Sequence, residues 1–150
     1  MEKRFKSLNI LFLAFVAGQV IMSAIFSFLV RQNQANSSEP AFGMIVPFII
    51  VAAIGGAYFI YNKRKEEGAQ LDGGVEKIDH YFQTSILRMA LLEGPILMIL
   101  IFMYLDADLN YLMYVGIGIA AFIYFRPGQQ QFVSDYNVSM EEQNEIDSKN

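Results

Sequence analysis

Glu93 stands in the apolar run Ile86 to Leu105, where Arg88 is the only other charge and Asp106 the next one along. A carboxylate in that setting can hold a proton, ligate a cation, or hydrogen-bond a neighbouring helix as a neutral acid. The residues around it bear on the choice. Gly94-Pro95 follow; Pro95 brings no N–H, and its ring clashes with the carbonyl four residues back, so a kink is expected and the Leu91 carbonyl loses its usual donor. A freed carbonyl beside a carboxylate is one way to build a proton- or cation-binding position in a membrane. Glu93, Pro95 and Leu91 are therefore the candidate ion-binding residues. Arg88 lies five residues away, about 140° around a helix, and is a poor partner for Glu93. The structural alternative is a protonated Glu93 bonded to the first apolar segment through Gln19 or Ser23.

Other polar groups offer less chemistry. Gln19, Ser23 and Ser27 recur every fourth residue before Arg31, a stripe expected to face protein because an amide exposed to lipid loses its hydrogen bonds. Glu76, His80, Thr84 and Arg88 share a second stripe, read as a solvated face at the membrane interface, with Arg88 extended toward the headgroups. Glu76 and His80 alone do not make a metal site. His80 is the only histidine and there is no cysteine, so no catalytic residue set, metal site, cofactor or disulfide is expected.

The elements that must position these residues are set by hydrophobicity. Hydrophobic residues form 54% of the chain and charged residues 17%, against roughly 25% charged in a soluble domain. Uninterrupted stretches of 24, 23 and 17 uncharged residues lie between Lys6 and Arg31, Glu39 and Lys63, and Asp108 and Arg126. Crossing a bilayer core takes about 20 helical residues, with about 17 as the lower limit. The segment holding Glu93 also qualifies: its Leu, Ile and Phe residues contribute roughly −3 to −6 kcal/mol, against about 2.5 to 3.5 for one central charge. The expectation is an all-α polytopic membrane protein with four transmembrane helices, over about 7–30, 40–61, 86–105 and 109–125. Ten of the eleven Lys and Arg residues fall on one side and only Arg31 on the other, so both termini are expected in the cytoplasm, in a cell (inner or plasma) membrane. The first segment runs on to Val30, too long for a signal-peptide core, and reads as an uncleaved anchor. Asn36-Ser37-Ser38 matches the glycosylation pattern on the outward loop.

A repeat organises the spans. A shift of 63 residues aligns Ile54 to Tyr61 with Ile117 to Tyr124, six identities in eight positions, and a shift of 76 aligns Ala14, Gly18, Met22 and Phe26 with Ala90, Gly94, Met98 and Phe102. Two helical hairpins in parallel repeat are expected. Ala52/Gly56, Ala53/Ala57 and Gly116/Ala120 are the expected close-packing pairs. Val75, Ile78, Phe82 and Ile86 predict an amphipathic stretch on the inner membrane surface leading into the third span. Residues 129–150 read as a cytoplasmic tail, partly disordered beyond Met140, whose Phe132 and Tyr136 dock at the surface or on a partner.

The run Ala90-Leu91-Leu92-Glu93-Gly94-Pro95-Ile96, preceded by Ile54-Gly55-Gly56-Ala57 and the basic Lys63-Arg64-Lys65, resembles the proteolipid subunit c of rotary ATPases. The resemblance covers the second span, the loop and the start of the third. In that family an Ala-Leu-x-Glu carboxylate carries a proton or sodium ion and the subunits form rings, so the resemblance implies an ion-carrying Glu93. Two further spans flank this hairpin here, and Ala17 stands where the repeat would place Glu93. The leading expectation is a non-enzymatic membrane protein with a structural or accessory role in a membrane complex. The alternative is a proton- or cation-coupled transporter using Glu93. The expected partners are the lipid bilayer, further copies or other subunits, and not nucleic acid.

Overall fold

Apolar surroundings offer the backbone no hydrogen bonds, and a helix is the form that pairs its own backbone within one segment. The computed structural model describes residues 1–33 and 41–148, and among these it is helical with no strand. The elements are α1 (Glu2–Asn33), α2 (Val46–Ala69), α3 (Gly74–Leu105), a turn of 3-10 helix (Leu109–Tyr111), α4 (Leu112–Tyr124), α5 (Gln129–Asp135) and α6 (Met140–Ser148). The Asn36-Ser37-Ser38 pattern and Lys149 fall outside the described residues.

Three helices, α1, α2 and α3, are long and apolar enough to cross a membrane. The fourth apolar segment is shorter. Its helix α4 has 13 residues, and it reaches spanning length only when counted with α5, from which it turns by 69°. Arg126-Pro127-Gly128 makes the corner, as expected where proline denies the helix a donor.

α3 is the hub: it packs on α1, α2 and α4, and α4 also touches α1 and α2, whereas α1 and α2 barely meet. The four helices form a diamond with α3 and α4 across its short diagonal. Two equivalent hairpins would give α1 and α2 the contact that α3 and α4 make, so the sequence repeat is not matched by equivalent packing. The close approach also differs from expectation. Ala53 and Ala57 are buried, but Gly56 and Gly116 face open space. Gly118 makes the tight junction instead, where a Cβ would meet Ile96 at 2.7 Å and Ile50 at 3.0 Å.

Two clamps hold the ends. At the far end Asp106, buried at the α3 C-terminus, accepts the Ala41 amide (3.1 Å), the Phe42 amide (2.9 Å) and the Tyr111 hydroxyl. Burial pushes its carboxyl up, but the three donors outweigh this and hold it below its ordinary value. Phe42 stacks on Phe102 beside it at 4.3 Å. At the near end Phe5, Tyr81, Phe82, Phe132 and Tyr136 form an aromatic cluster with centroids 5.2–5.9 Å apart.

That cluster changes the reading of the tail. Residues 140–148 are helical, not disordered, and Phe132, Tyr136, Val138 and Ile146 are buried against this chain's own helices. The signal for α6 is the capping box Ser139-Met140-Glu141-Glu142: Ser139 Oγ accepts the Glu142 amide (3.2 Å) and Glu142 accepts the Ser139 amide (2.7 Å). Lys77 meets Glu142 at 2.8 Å, Glu145 accepts the Gly74 amide (3.0 Å), and the Met1 amine pairs with Asp147. The expected interfacial stretch is the first part of α3 itself, and its Ile78 and Tyr81 are buried with Phe132 of α5 and Ile146 of α6.

The Lys77 ammonium and the Ser139 amide hold the Glu142 carboxyl below its usual range. A depressed carboxylate stabilises the fold above its unfolded pKa, near 4.3, and that contribution is lost as pH falls through the folded value. Hydrogen-exchange protection of 140–148 should therefore be higher in wild type than in Lys77→Gln at neutral pH, and the two should converge below about pH 4. A difference that does not change with pH contradicts this ion pair.

Candidate functional site

The apolar layer has its near edge at Arg88 and its far edge at Asp106, 18 residues apart on α3, about 27 Å at 1.5 Å per residue. Glu93 lies five residues inside the Arg88 edge, roughly 7–8 Å deep. It is half-buried, on the side of α3 that faces α1.

Gln19 is its partner. This residue is completely buried and its Nε2 donates to Glu93 Oε2, a link between helices 74 positions apart in sequence. Its Oε1 is also buried and has no hydrogen-bond partner. Primary amides and carboxylic acids complement one another, since the acid O–H can donate to the amide oxygen while the amide N–H donates to the acid carbonyl. An ionised Glu93 can only accept, so it leaves Gln19 Oε1 orphaned at a cost of about 1–3 kcal/mol. The neutral acid is the form that satisfies both groups. Of the two sequence alternatives for the partner, Gln19 is the one brought to Glu93.

Ser23 and Ser27 are not. Their hydroxyls turn back on α1, Ser23 Oγ to the Gln19 carbonyl (2.7 Å) and Ser27 Oγ to the Ser23 carbonyl (2.6 Å). A serine hydroxyl reaches its own i−4 carbonyl readily, which is how a polar side chain is satisfied without a second helix. Pro95 lies inside α3, which continues to Leu105, and the Leu91 carbonyl is left without its i+4 amide donor by covalent structure alone.

The groove in front of Glu93 is the open part of the site. Leu11, Ala14, Phe15 and Gly18 of α1 line it with Glu93, enclosing about 280 Å³. No heavy atom lies within 4 Å of where a Cβ would stand on Gly18 or Gly94. Only 11% of the apolar window of α1 is buried, against 39% for α3, so α1 leaves most of its surface for lipid or for another chain. The polar groups here are Glu93 and Gln19; the walls are apolar.

Arg88 requires a correction. It was expected to extend toward the headgroups, but it is 2% exposed and points into the protein. Its Nη2 donates to the Phe125 carbonyl (2.6 Å), and its guanidinium lies 4.1 Å from the Tyr61 ring centroid and 5.3 Å from that of Phe125. Tyr61 in turn donates to Asp135. The reason is chemical: the C-terminal carbonyls of α4 need donors at this depth, and a planar cation between two rings supplies them. His80 is also drawn inward, with Nδ1 3.0 Å from the Tyr136 hydroxyl, while Thr84 is buried and accepts from Arg64 Nε (2.9 Å). No three metal-ligating side chains come together among the described residues.

Comparison with family models, with curated proteins and with solved structures gives no match for this chain. The site is accordingly read from its own geometry. Glu93→Gln should leave stability within about 1 kcal/mol of wild type, because a second amide can both donate to and accept from Gln19. Glu93→Leu should cost about 1–3 kcal/mol by leaving both ends of the buried Gln19 amide unpaired. Reversible unfolding in mixed micelles measures both; equal effects of the two substitutions would contradict the pairing.

Proposed function

We propose that this is a four-pass integral membrane protein acting as an accessory subunit of a membrane complex, and that it offers the α1–α3 groove to a transmembrane helix of a partner. The observation that carries this reading is the position of Glu93: half-buried in an apolar, outward-opening groove and held by one amide. A translocation path needs polar groups leading to both faces of the membrane, and none but Gln19 accompanies Glu93 here. Small residues at Ala14, Gly18, Ala90 and Gly94 leave room for a helix backbone to approach.

The fourth crossing rests on the meeting of the chain ends. Met1 pairs with Asp147 and Arg126 Nε donates to Asn9 (3.3 Å). Three crossings by α1, α2 and α3 leave Leu105 on the side opposite Met1, so α4 must carry the chain back. Its shortness is accommodated by local thinning of the bilayer, at fractions of a kcal/mol per Å. The Lys and Arg asymmetry supports placing the shared end in the cytoplasm.

A second reading is favoured by the orphaned Gln19 oxygen. A site satisfied by the neutral acid binds a proton, and proton-coupled movement of an ion or solute would use that step. This reading gives Glu93 the role that the proteolipid resemblance implies.

The test uses a photo-crosslinking side chain at Ala14, with one at Phe48 on the exposed face of α2 as control, in native membranes. An adduct at Ala14, absent at Phe48 and lost when Gly18→Leu fills the groove, is the expected result. Gly18→Leu should leave the fold intact because its Cβ meets open space. Assembly unchanged by Gly18→Leu refutes the docking reading, and proton-linked flux in liposomes that disappears in Glu93→Gln establishes the second.

A further inference from the structure

The cytoplasmic end of α1 and the corner after α4 enclose a second groove of about 500 Å³, on the inner edge of the apolar layer. Its upper part is basic and polar, with Lys6, Arg126, Asn9 and Gln129; its lower part is apolar, with Ile10 and Leu13, each 60% exposed. Glu2 stands at the rim as the one carboxylate lining it. This vertical order, cation above and hydrocarbon below, matches an amphiphile with an anionic head.

Arg126 is held in place for such a role. Its Nε donates to Asn9 Oδ1 at 3.3 Å and its guanidinium rests 5.9 Å from the Phe12 ring centroid. That arrangement uses one donor and leaves the Nη groups for a second acceptor. Lys6 pairs with no carboxylate among the described residues, although Arg4 on the same turn pairs with Asp79. The negative end of the α4 dipole would oppose an anion here, but the buried Arg88 donates to the Phe125 carbonyl and offsets it. Planar guanidinium and ammonium together are the usual donors to a phosphate.

We infer that this groove is a binding site for an anionic phospholipid of the cytoplasmic leaflet. The phosphate sits between Lys6 and Arg126, Gln129 and Asn9 lend amide donors to the headgroup, and an acyl chain follows Ile10 and Leu13 along α1. The site lies apart from the Glu93 groove and does not rest on the docking reading: that groove takes in Leu11, Ala14, Phe15 and Gly18, and this one Ile10 and Leu13.

Native mass spectrometry of the full chain, released from nanodiscs holding equal phosphatidylglycerol and phosphatidylcholine, tests the inference. Wild type should retain phosphatidylglycerol preferentially, and the double variant Lys6→Gln, Arg126→Gln should lose that preference about tenfold or more. Lys6→Gln alone alters an exposed, unpaired side chain and leaves the fold untouched, so it should lose part of the preference; Lys6→Arg should keep it. A photoactivatable phosphatidylglycerol should label the peptide carrying residues 6–13 in wild type. Equal retention of the two lipids by wild type, or a double variant with undiminished preference, overturns the site. Displacement of the lipid by soluble glycerophosphate at equal concentration overturns it as well, since the groove would then recognise phosphate without the acyl chain.

Discussion

A guanidinium buried at the near edge of the apolar layer ties three helices at one point. Arg88 on α3 donates to the Phe125 carbonyl at the C-terminal end of α4 and lies against the Tyr61 ring of α2, whose hydroxyl reaches Asp135 at the end of α5. Burying a cation is expensive, and it is tolerated only when its donors and its charge are both met. Here a carbonyl meets one donor, two ring faces meet the charge at about 2 kcal/mol or more for a desolvated contact, and Asp135 lies one hydroxyl further out. The end of α4, the corner at Pro127 and the docked α5 all meet at these partners of Arg88. Tyr81 completes the corner by accepting from the Gly128 amide (3.0 Å) and donating to its carbonyl (3.2 Å).

With α3 and α4 across the short diagonal, α1 is the helix held least. It is joined to α3 near Glu93 by Gln19 and at its start by the aromatic cluster, and most of its apolar surface is left outward. That asymmetry places the one carboxylate of the layer in a groove between a fixed wall and a lightly held one. The tail has the opposite character: Glu142, Glu145 and Asp147 meet Lys77, the Gly74 amide and the Met1 amine, so the region that looks free in sequence is what closes the near end.

Class and long elements were legible because they depend on local quantities. Stretches without charge marked α1 and α2, the apolar content of 86–105 outweighing one charge marked the spanning part of α3, and the four-residue spacing of Phe132 and Tyr136 marked a face that docks. The Gln19–Glu93 pairing was legible as one of two candidates, since a buried amide and a buried acid in neighbouring apolar segments are natural partners. What the spacing left unread depends on which helix stands beside which. Arg88 reads as interfacial until the rings of Tyr61 and Phe125 arrive from 27 and 37 residues away. Asp106 reads as a loop residue until the amides of Ala41 and Phe42 reach it across the far end. The repeat misleads about packing because Gly55 and Gly118, aligned in sequence, face different surroundings: open space in one case, Ile96 and Ile50 in the other. Only the capping box before α6 was a local signal available in sequence and left unused.

The central claim is that the Glu93 groove opens to the apolar layer and not to water. The chain has no cysteine, so a single Ala14→Cys carrying a nitroxide label reports on that groove alone. In nanodiscs, the account predicts strong relaxation of the label by dissolved oxygen and almost none by a water-soluble nickel chelate. Strong relaxation by the nickel chelate would show an aqueous path to Glu93 and contradict it.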